Sequence, residues 1–355
     1  MAAASILAEA VKRLLLAALV VLSVVSVSAA GRALEIYFID VEGGQSTLLV
    51  TPAGQSLLID AGYGQREGRD PDRVVAAMRD AGVTRLDFFL ATHFHNDHVG
   101  GVPDLAARVE IGTFLDYGEP LGTDRMANNA IRAYQPVRDA HTAVVVKPGD
   151  RLPLQGLLAE VVSAGGALIE SPRSGGGEAT GVCDRAEDQP EDGTENYRSV
   201  GVLFELGAFR FLDLGDLSGN TLTRLVCPVN RVGPVSVYLV AHHGDYDSNV
   251  AAVYAALRPR VAILNNGPAK GGSPDAFRSL LALRDLENLW QLHASRSPLN
   301  AADDFVANFD NTTDGNWIHL RAREDGSFTV RNSRHGFTKA YAAQRRGSAE
   351  SRSGD

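Results

Sequence analysis

Residues 92 to 101 read Thr-His-Phe-His-Asn-Asp-His-Val-Gly-Gly and concentrate side chains of the kinds that bind metal ions. His93, His95, Asp97 and His98 fall within six residues, directly after an apolar run. Imidazole nitrogen together with carboxylate oxygen suits zinc, and also iron or manganese. Because the whole chain of 355 residues has only nine histidines, three in one short window are not expected by chance. The segment therefore predicts a metal site in the loop that follows a strand.

The pattern His-x-His-x-Asp-His-x-Gly-Gly resembles the signature of the metallo-β-lactamase superfamily. Three other segments agree with that family in order and spacing, from about residue 34 to about residue 270. They are Leu57-Leu58-Ile59-Asp60-Ala61-Gly62, Phe211-Leu212-Asp213-Leu214-Gly215-Asp216 and Val237-Tyr238-Leu239-Val240-Ala241-His242-His243-Gly244. The resemblance implies an α/β (α+β) fold, a four-layer αββα sandwich of two mixed sheets faced by helices, with the site where strand ends converge at one edge.

The resemblance also implies a ligand set for two ions. The set is His93 and His95 for the first ion, Asp97, His98 and His242 for the second, and Asp216 between them. His243 is the alternative to His242, since the two are adjacent. His242 is preferred because it comes first after the strand, which leaves His243 to contact a substrate oxygen. Asp60 is expected to hold the ligand loops by hydrogen bonds.

Hydrolysis is the chemistry that such a site performs. Bound ions lower the pKa of water to roughly 7, which supplies a metal-activated hydroxide at neutral pH. Asp97 is the natural group to orient that nucleophile, and Asp97 and His98 are the predicted catalytic residues. The expected cofactor is zinc, as one or two ions, with manganese or iron as alternatives.

The chain departs from the family pattern in one respect. A third histidine for the first ion is expected between His98 and Asp216, where the chain has only His141. His141 precedes a strand-like run, and a surface position is the favoured interpretation.

The segment Asn196-Tyr197-Arg198-Ser199 stands in place of that histidine. Followed by Gly-Asp and His-His-Gly, it resembles the metallo-β-lactamase-like domain of bacterial competence (DNA-uptake) channel proteins and its free-standing relatives. A neutral amide is a poorer zinc ligand than imidazole, so Asn196 and Ser199 are predicted to contact substrate or water. Arg198 is a candidate for binding an anion. Lys270 could reach a phosphate from a flexible loop, with a solvated lysine as the favoured interpretation.

Strands and helices alternate along the chain, which indicates a layered α/β domain. Runs typical of strands cover residues 34–40, 46–50, 55–60, 86–92, 204–213, 235–241 and 260–264, and helical spacing marks residues 71–81, 103–108, 251–257 and 275–283. Residues 315–320 and 326–330 predict a closing hairpin. Residues 165–196 are rich in glycine and acids without periodicity, which predicts a long loop insertion that overhangs the site or is a plain surface feature. Cys183 and Cys227 are equally open to pairing or to remaining free thiols.

The first thirty residues indicate export rather than part of the fold. Lys12 and Arg13 precede an apolar run that ends in Ser28-Ala29-Ala30, which is typical of a secretory signal peptide, with an uncleaved anchor as the alternative. The expected organisation is a signal peptide over 1–30, one domain over 31–343 and a disordered tail over 344–355. The mature protein is then secreted or periplasmic, with no stable membrane span. The oligomeric state stays open.

Composition limits the candidate functions. A hydrophobic content of 45% fits a globular protein with a sizeable core. The net charge of −9 argues against a general nucleic-acid-coating surface, though not against a local basic groove. The leading hypothesis is an exported hydrolase of a phosphodiester, with a small molecule, a nucleotide or nucleic acid as substrate. The alternatives are hydrolysis of an ester, amide or lactam, and a non-catalytic metal-binding module.

Overall fold

The computed structural model describes residues 33–179, 181–185, 188–189, 191–248, 251–309 and 315–344. The predicted signal peptide and, apart from Gln344, the predicted tail lie outside the described residues. Among the described helices, none combines the length and the apolar character needed to cross a membrane.

Seventeen strands are present in the described residues. They are β1 (Leu34–Ile39), β2 (Thr47–Val50), β3 (Ser56–Ile59), β4 (Leu86–Leu90), β5 (Ile111–Asp116), β6 (Thr142–Val145), β7 (Leu158–Ala164), β8 (Ala167–Leu168), β9 (Gly201–Leu206), β10 (Phe209–Asp213), β11 (Val237–Leu239), β12 (Val261–Leu264), β13 (Asn288–His293), β14 (Val306–Asn308), β15 (Trp317–Ala322), β16 (Phe328–Asn332) and β17 (Thr338–Tyr341). The α-helices are α1 (Arg69–Asp80), α2 (Asn96–Val99), α3 (Val102–Ala106), α4 (Asn128–Asp139), α5 (Gly219–Val226), α6 (Ala251–Leu257) and α7 (Pro274–Leu281).

The strands form two mixed sheets. One has nine strands in the order β17-β16-β15-β1-β2-β3-β4-β5-β6, and the other has eight in the order β14-β13-β12-β11-β10-β9-β7-β8. In the first sheet β3, β4, β5 and β6 run parallel to one another. In the second, β10 to β14 are parallel. The carboxyl ends of these parallel strands carry the loops in which the candidate ligands lie.

Alternating side chains explain how the two sheets are layered. In β10, Phe211 packs into the cluster between the sheets, where its ring lies 5.6 Å from that of Phe38 in β1. The next residue, Leu212, packs on the other face, in the cluster with Leu222 of α5 and Phe277 of α7. Successive residues of a strand point to opposite faces, so β10 packs against the other sheet on one face and against helices on the other. The result is the predicted sandwich of helices on sheet on sheet on helices.

The helix ends follow local sequence signals. α7 begins at Pro274, a favoured first position, and the Oγ of Ser273 accepts a hydrogen bond of 3.2 Å from the amide of Ala276. α1 is followed at Gly82 by a left-handed residue, φ +70°, as expected for a helix end.

One predicted strand is wrong. Residues 204–213 were expected as a single strand, but they belong to the antiparallel pair β9 and β10. The chain reverses at Gly207, which has a φ of +57°. A Cβ atom there would lie 2.1 Å from the carbonyl oxygen of Glu324, so the position requires glycine. The predicted closing hairpin is confirmed as β15 and β16.

The insertion over residues 165–196 is tied to the fold along its described part. It starts as the short hairpin of β7 and β8. Cys183 and Cys227 form a disulfide with a Cα–Cα distance of 5.6 Å, and Ala179 bridges to Val229. The insertion ends at a helical turn over Asn196–Arg198 that reaches the candidate site.

Candidate metal centre

The predicted ligands converge because their strands end at neighbouring positions. β3 leads to Asp60, and its parallel neighbour β4 leads into the loop with His93 and His95. β10 in the other sheet leads to Asp216, and its parallel neighbour β11 leads to the two histidines of the His-His-Gly segment. The sandwich therefore brings loops of both sheets to one place.

Asp216 lies at the middle of this cluster and is almost fully buried. Its carboxylate oxygen Oδ2 faces four imidazole nitrogens. The Nε2 atoms of His98 and His243 lie 3.2 Å from it, that of His242 lies 3.6 Å away and that of His93 lies 3.9 Å away. A carboxylate surrounded in this way is placed to bridge two cations.

The tightest group of ligand atoms belongs to Asp97, His98, Asp216 and His243, which all lie within 4.8 Å of one another. Oδ2 of Asp97 lies 3.4 Å from Nε2 of His98 and 3.5 Å from Nε2 of His243. His243, and not the preferred His242, belongs to this group. The His243 ring is fully buried, while the His242 side chain keeps 13% of its surface exposed.

His93 and His95 form a second group beside the first. Nε2 of His93 lies 3.0 Å from Nδ1 of His95, and the two rings are nearly perpendicular. Nitrogens at this distance either share a proton or face a common cation. His242 turns its Nε2 towards Oδ2 of Asp216 and lies 3.4 Å from the side-chain amide nitrogen of Asn196.

Each candidate imidazole except His243 has an oxygen partner behind it. Nδ1 of His98 lies 2.7 Å from Oδ2 of Asp60, as predicted for that aspartate. The same carboxylate accepts hydrogen bonds from the amide and the hydroxyl of Thr92. Such contacts fix the tautomer and the orientation of a ligating imidazole.

Two acids with this role escaped the sequence analysis. Oδ2 of Asp124 lies 2.8 Å from Nε2 of His95, and Oδ1 of Asp247 lies 2.6 Å from Nδ1 of His242. Asp124 sits in the loop before α4, and its Oδ2 also accepts the amide of Glu195. No motif marks Asp124, because its distance from His95 depends on how the loops fold. Asp247 follows His242 by only five residues, so its closeness in sequence to a predicted ligand could have identified it.

The backbone is strained at three of these positions. Asp60 has a φ of +58°, and the adjacent His242 and His243 have φ values of +48° and +55°. Residues other than glycine adopt this left-handed region at a cost of roughly 1–3 kcal/mol each, and such residues concentrate at functional sites. With two left-handed residues in succession, both neighbouring imidazoles present Nε2 to Oδ2 of Asp216.

Glycines let other loops approach the ligands closely. A Cβ at Gly44 would lie 2.4 Å from the carbonyl oxygen of Asp97, and that carbonyl accepts the amide of Gln45 at 3.1 Å. The loop over residues 40–46 thus forms a rigid wall against the ligand turn α2.

The carboxylates of the centre stay ionised despite their burial. Burial alone would raise the pKa of Asp97, but Lys270 and His98 hold it well below its usual range. Burial alone would likewise raise the pKa of Asp216. Its interactions with His243, His98 and His242 outweigh burial and hold that pKa well below normal. For His98, burial opposes the charged form, yet the carboxylates of Asp216, Asp97 and Asp60 raise its pKa well above normal. Two buried anions surrounded by imidazoles provide the charge that a divalent cation needs.

Unpaired buried atoms test whether a cation fits. Among the described residues, Nε2 of His98, Oδ1 of Asp216 and both ring nitrogens of His243 are buried without a hydrogen-bond partner. Buried polar atoms are normally hydrogen-bonded, and a bound ion accounts for atoms without a hydrogen-bond partner. The donor set of imidazole nitrogen and carboxylate oxygen is the one that zinc, iron and manganese bind. The residues therefore fit a metal centre.

The remaining predicted residues lie at different distances from the cluster. Asn196 and Ser199 reach it, since Oγ of Ser199 lies 3.4 Å from Nδ1 of His93 and accepts the amide of Asp216. His141 is exposed and its Nδ1 lies 2.7 Å from the carbonyl oxygen of Val137, so it stands outside the cluster. The guanidinium of Arg198 lies over the ring of Tyr117, 4.8 Å from its centroid.

Lys270 is placed differently from the prediction. It was expected to be solvated, but its ammonium donates a hydrogen bond to Oδ2 of Asp97. Lys270 and Asp97 are 173 residues apart in the sequence, so no local pattern connects them.

Comparison with known proteins agrees with this geometry. Residues 40–166 match the family model described as the Metallo-beta-lactamase superfamily. The match places a metallo-beta-lactamase superfamily domain in this part of the chain. The prediction of the αββα fold is confirmed, and the domain supports the predicted class of enzyme, a metal-dependent hydrolase.

Two curated proteins and one solved structure are among its matches. The chain is 25% identical over 246 residues to a UPF0173 metal-dependent hydrolase from Cupriavidus necator, which covers 67% of this chain and 77% of that protein. It is 42% identical over 62 residues to an atrochrysone carboxyl ACP thioesterase from Aspergillus terreus, a match that covers only 18% of either protein. The metallo-beta-lactamase fold protein YhfI from Bacillus subtilis aligns with a TM-score of 0.43 at 10% identity, over 73% of this chain and 96% of that chain.

Proposed function

We propose that the protein is a metal-dependent hydrolase with zinc as its cofactor. The observation that carries this proposal is the arrangement around Asp216, where one buried carboxylate oxygen faces four imidazole nitrogens within 4 Å. The proposed ligands of one ion are His93, His95 and His242, and those of the other are Asp97, His98 and His243, with Asp216 shared by both. In this assignment His242 supplies the imidazole that the sequence lacks between residues 98 and 216.

The ions and the protein contribute separately to the chemistry. When bound, divalent ions supply a Lewis acid that makes water a stronger nucleophile and neutralises charge developing on oxygen. The protein holds the imidazoles in fixed orientations through Asp60, Asp124 and Asp247. Asp97 stays ionised and is placed to orient a water molecule for attack. Asn196 presents its amide beside His242, where it is available to a substrate oxygen.

A phosphodiester or nucleotide is the proposed substrate. Support comes from the Asn-x-x-Ser, Gly-Asp and His-His-Gly pattern, which resembles the competence-type branch, and from the ammonium of Lys270 at the centre. A substrate that carries negative charge at the reacting group would use that cation.

A second candidate is hydrolysis of an ester or thioester. The observation that favours it is the local identity with the Aspergillus thioesterase, 42% over 62 residues. The same centre serves both reactions, because each proceeds by attack of water on a centre whose oxygen gains charge.

Turnover of bis(p-nitrophenyl) phosphate tests the proposal. The mature protein, loaded with zinc, is compared with the His95→Ala variant and with His141→Ala, which removes an exposed histidine outside the cluster. We expect turnover by the first and third proteins and its loss in His95→Ala, together with loss of bound zinc. Turnover of p-nitrophenyl esters but not of the phosphodiester would favour the second candidate. Absence of bound metal would leave a non-catalytic module.

We also propose that the protein is exported. The disulfide between Cys183 and Cys227 supports this, since such bonds persist mainly in oxidising compartments. Cell fractionation with amino-terminal sequencing tests it. A mature chain that begins near residue 31 outside the cytoplasm is expected, and a cytoplasmic chain with an intact amino terminus would contradict the proposal.

A further inference from the structure

Lys270 stands at the centre in a position that the metal ligands do not explain. Its ammonium donates to Oδ2 of Asp97, the same oxygen that lies 3.4 Å from Nε2 of His98 and 3.5 Å from Nε2 of His243. The cation is thus in direct contact with one proposed metal ligand, Asp97.

The turn that carries Lys270 is held at both ends. The amide of Gly267 donates to the carbonyl of Lys270 at 2.8 Å, and the amide of Gly272 donates to the carbonyl of His243 at 2.8 Å. The buried Asn266 donates its side-chain amide to the carbonyl of Gly267 at 2.9 Å. This part of the chain is a fixed turn rather than the flexible loop that was predicted.

The stem of the lysine is also enclosed. A Cβ at Gly43 would lie 2.8 Å from Cβ of Lys270, so the opposite loop touches the root of the side chain. A Cβ at Gly271 would lie 2.3 Å from the carbonyl oxygen of His243. Glycines on both sides permit this close packing, and the ammonium is aimed at Asp97 by the surrounding backbone.

The hydrogen bond to Asp97 occupies only part of the donor capacity of the ammonium. Lysine has three N–H donors, and within the described residues only the carboxylate of Asp97 accepts from this one. The side chain keeps 34% of its surface exposed, whereas that of Asp97 keeps 10%. Lys270 therefore offers unused donors beside Asp97.

We propose that Lys270 contacts the substrate and binds a negatively charged oxygen of the group that is hydrolysed. The proposal rests on the proposed hydrolytic function and narrows its substrate class to anions such as phosphate esters. A compact ammonium suits an oxygen of a phosphoryl group, because it acts as a point charge with several donors. The bond that breaks is the ester bond to phosphorus, water adds to phosphorus, and the alcohol leaves with a proton. Lys270 remains protonated throughout and forms no covalent bond.

Substitution of Lys270 is the test, with zinc-loaded protein and two substrates. Lys270→Gln is expected to lower kcat/KM for the anion bis(p-nitrophenyl) phosphate about 10- to 100-fold, the loss typical of one charge-assisted hydrogen bond. The rate with the neutral p-nitrophenyl acetate is expected to stay within about threefold, because binding of an uncharged group does not use the cation. Lys270→Arg, which keeps the charge, is expected to recover most of the phosphodiester activity.

Two controls exclude indirect effects. Lys147→Gln removes an exposed lysine distant in sequence from the centre and is expected to change neither substrate. Zinc content, measured by elemental analysis, is expected to be equal in all variants. An equal loss for both substrates, or a loss of zinc in Lys270→Gln, would overturn the proposal, since Lys270 would then act by positioning Asp97.

Binding of inorganic phosphate separates this proposal from the proposed function. If the zinc-loaded wild type hydrolyses no phosphodiester, the substrate assignment fails, but titration calorimetry with phosphate still decides the role of Lys270. Binding at least about 10-fold weaker in Lys270→Gln than in wild type and Lys147→Gln supports an anion contact. Equal affinity in the three proteins, or no phosphate binding by the wild type, would refute it.

Discussion

At the scale of single residues, the centre depends on acids that never touch a metal ion as much as on the ligands. Asp60, Asp124 and Asp247 each lie within hydrogen-bond distance of one imidazole, that of His98, His95 and His242 respectively. Because an imidazole can rotate about two bonds, a ligand without such support loses its orientation.

Asp124 provides a direct test of this support. Asp124→Ala removes the acceptor for Nε2 of His95, and we expect zinc affinity to fall about 10- to 100-fold while the protein stays folded. Competition with a chromogenic chelator measures the affinity. Asp139→Ala is a suitable control, because it removes an exposed aspartate from the end of the helix that follows. Unchanged zinc affinity in Asp124→Ala would show that His95 is not a ligand.

The two adjacent histidines give a second prediction. His243 is fully buried in the tight group with Asp97 and His98, and His242 lies at the edge near Asn196. We therefore expect His243→Ala and His242→Ala each to lose one zinc ion, but a different one. Cobalt substitution followed by absorption spectroscopy distinguishes them, because the two ions have different ligands. Identical spectra for the two variants would contradict the assignment.

The sequence marked the candidate ligands that the structure brings together, but not their neighbours. The residues His93 to His98 lie in one short motif, so their convergence follows from local chain geometry alone. Asp124 and Lys270 reach the centre through loops that are distant in sequence, and no spacing marks them. The choice between His242 and His243 depended on two left-handed backbone conformations, which the sequence does not specify.

At the scale of elements, the walls of the centre are loops that lie against each other without side chains between them. Gly44 is the clearest case, since a Cβ there would overlap the carbonyl of Asp97. Glycine is required by this close approach and not by chain flexibility.

Gly44→Ala is accordingly expected to push the turn α2 away and to lower zinc affinity about 10-fold or more, by misplacing Asp97 and His98. Calorimetric titration of the metal-free protein with zinc is the measurement. Gly122→Ala is the matched control, because a Cβ there meets nothing within 4 Å. Equal zinc affinity in the two variants would show that the contact does not position the ligands.

The disulfide anchors the insertion over residues 165–196. It closes a loop of 44 residues, which corresponds to at most about 4 kcal/mol of stability by restricting the unfolded chain. The double variant Cys183→Ala, Cys227→Ala is expected to unfold at a lower urea concentration and to be cleaved faster by proteases within the insertion. Dithiothreitol is expected to weaken the wild type to the same extent and to leave the double variant unchanged. Equal stability of the two proteins would mean that the bond does not restrain the insertion.

Elements with a clear sequence pattern were predicted correctly. A strand pair joined at a single glycine was predicted as one strand. The helix α7 is marked by Ser273 and Pro274, and the hairpin of β15 and β16 by a turn that contains Gly326. Six of the ten residues over 204–213 are apolar, and the single Gly207 between them did not reveal that the chain reverses there. Pairing of Cys183 with Cys227 could not be predicted, because it depends on a distance between two loops.

At the scale of the whole molecule, burial of acids makes stability depend on pH. Burial raises the pKa of Asp40 to about 6, against the opposing effects of His293 and Arg73. A carboxyl group with a raised pKa in the folded state contributes stability that is complete below its unfolded pKa near 4 and is lost as the pH rises towards 6.

Asp40→Asn is expected to remove the loss of stability that ionisation of Asp40 causes as the pH rises. The metal-free variant should gain up to about 3 kcal/mol relative to wild type between pH 4 and pH 8, since an amide pays no cost of burying charge. Urea unfolding at both values measures the difference. The control variant Glu324→Gln removes an exposed carboxylate, and its stability relative to wild type is expected to be the same at pH 4 and pH 8. A gain of stability for Asp40→Asn that is the same at both pH values would contradict the assignment.

The architecture as a whole followed from one resemblance rather than from periodicity. Alternating strands and helices indicated only a layered domain, whereas the His93 to His98 motif implied the two-sheet sandwich that the structure shows. Residue patterns specify which face of a strand is buried, but not which strands become neighbours. The placement of β1 between β2 and β15 illustrates this, since β15 lies near the other end of the chain.

Zinc binding by the metal-free protein, measured by calorimetry beside Asp216→Asn, tests the central claim most directly. The substitution keeps the shape of the side chain and removes the charge on which four imidazoles converge. We predict that the wild type binds one or two zinc ions and that the variant binds zinc more than about 100-fold more weakly, with loss of phosphodiester turnover. Zinc affinity in Asp216→Asn equal to that of the wild type, or no zinc binding by the wild type, would contradict the account.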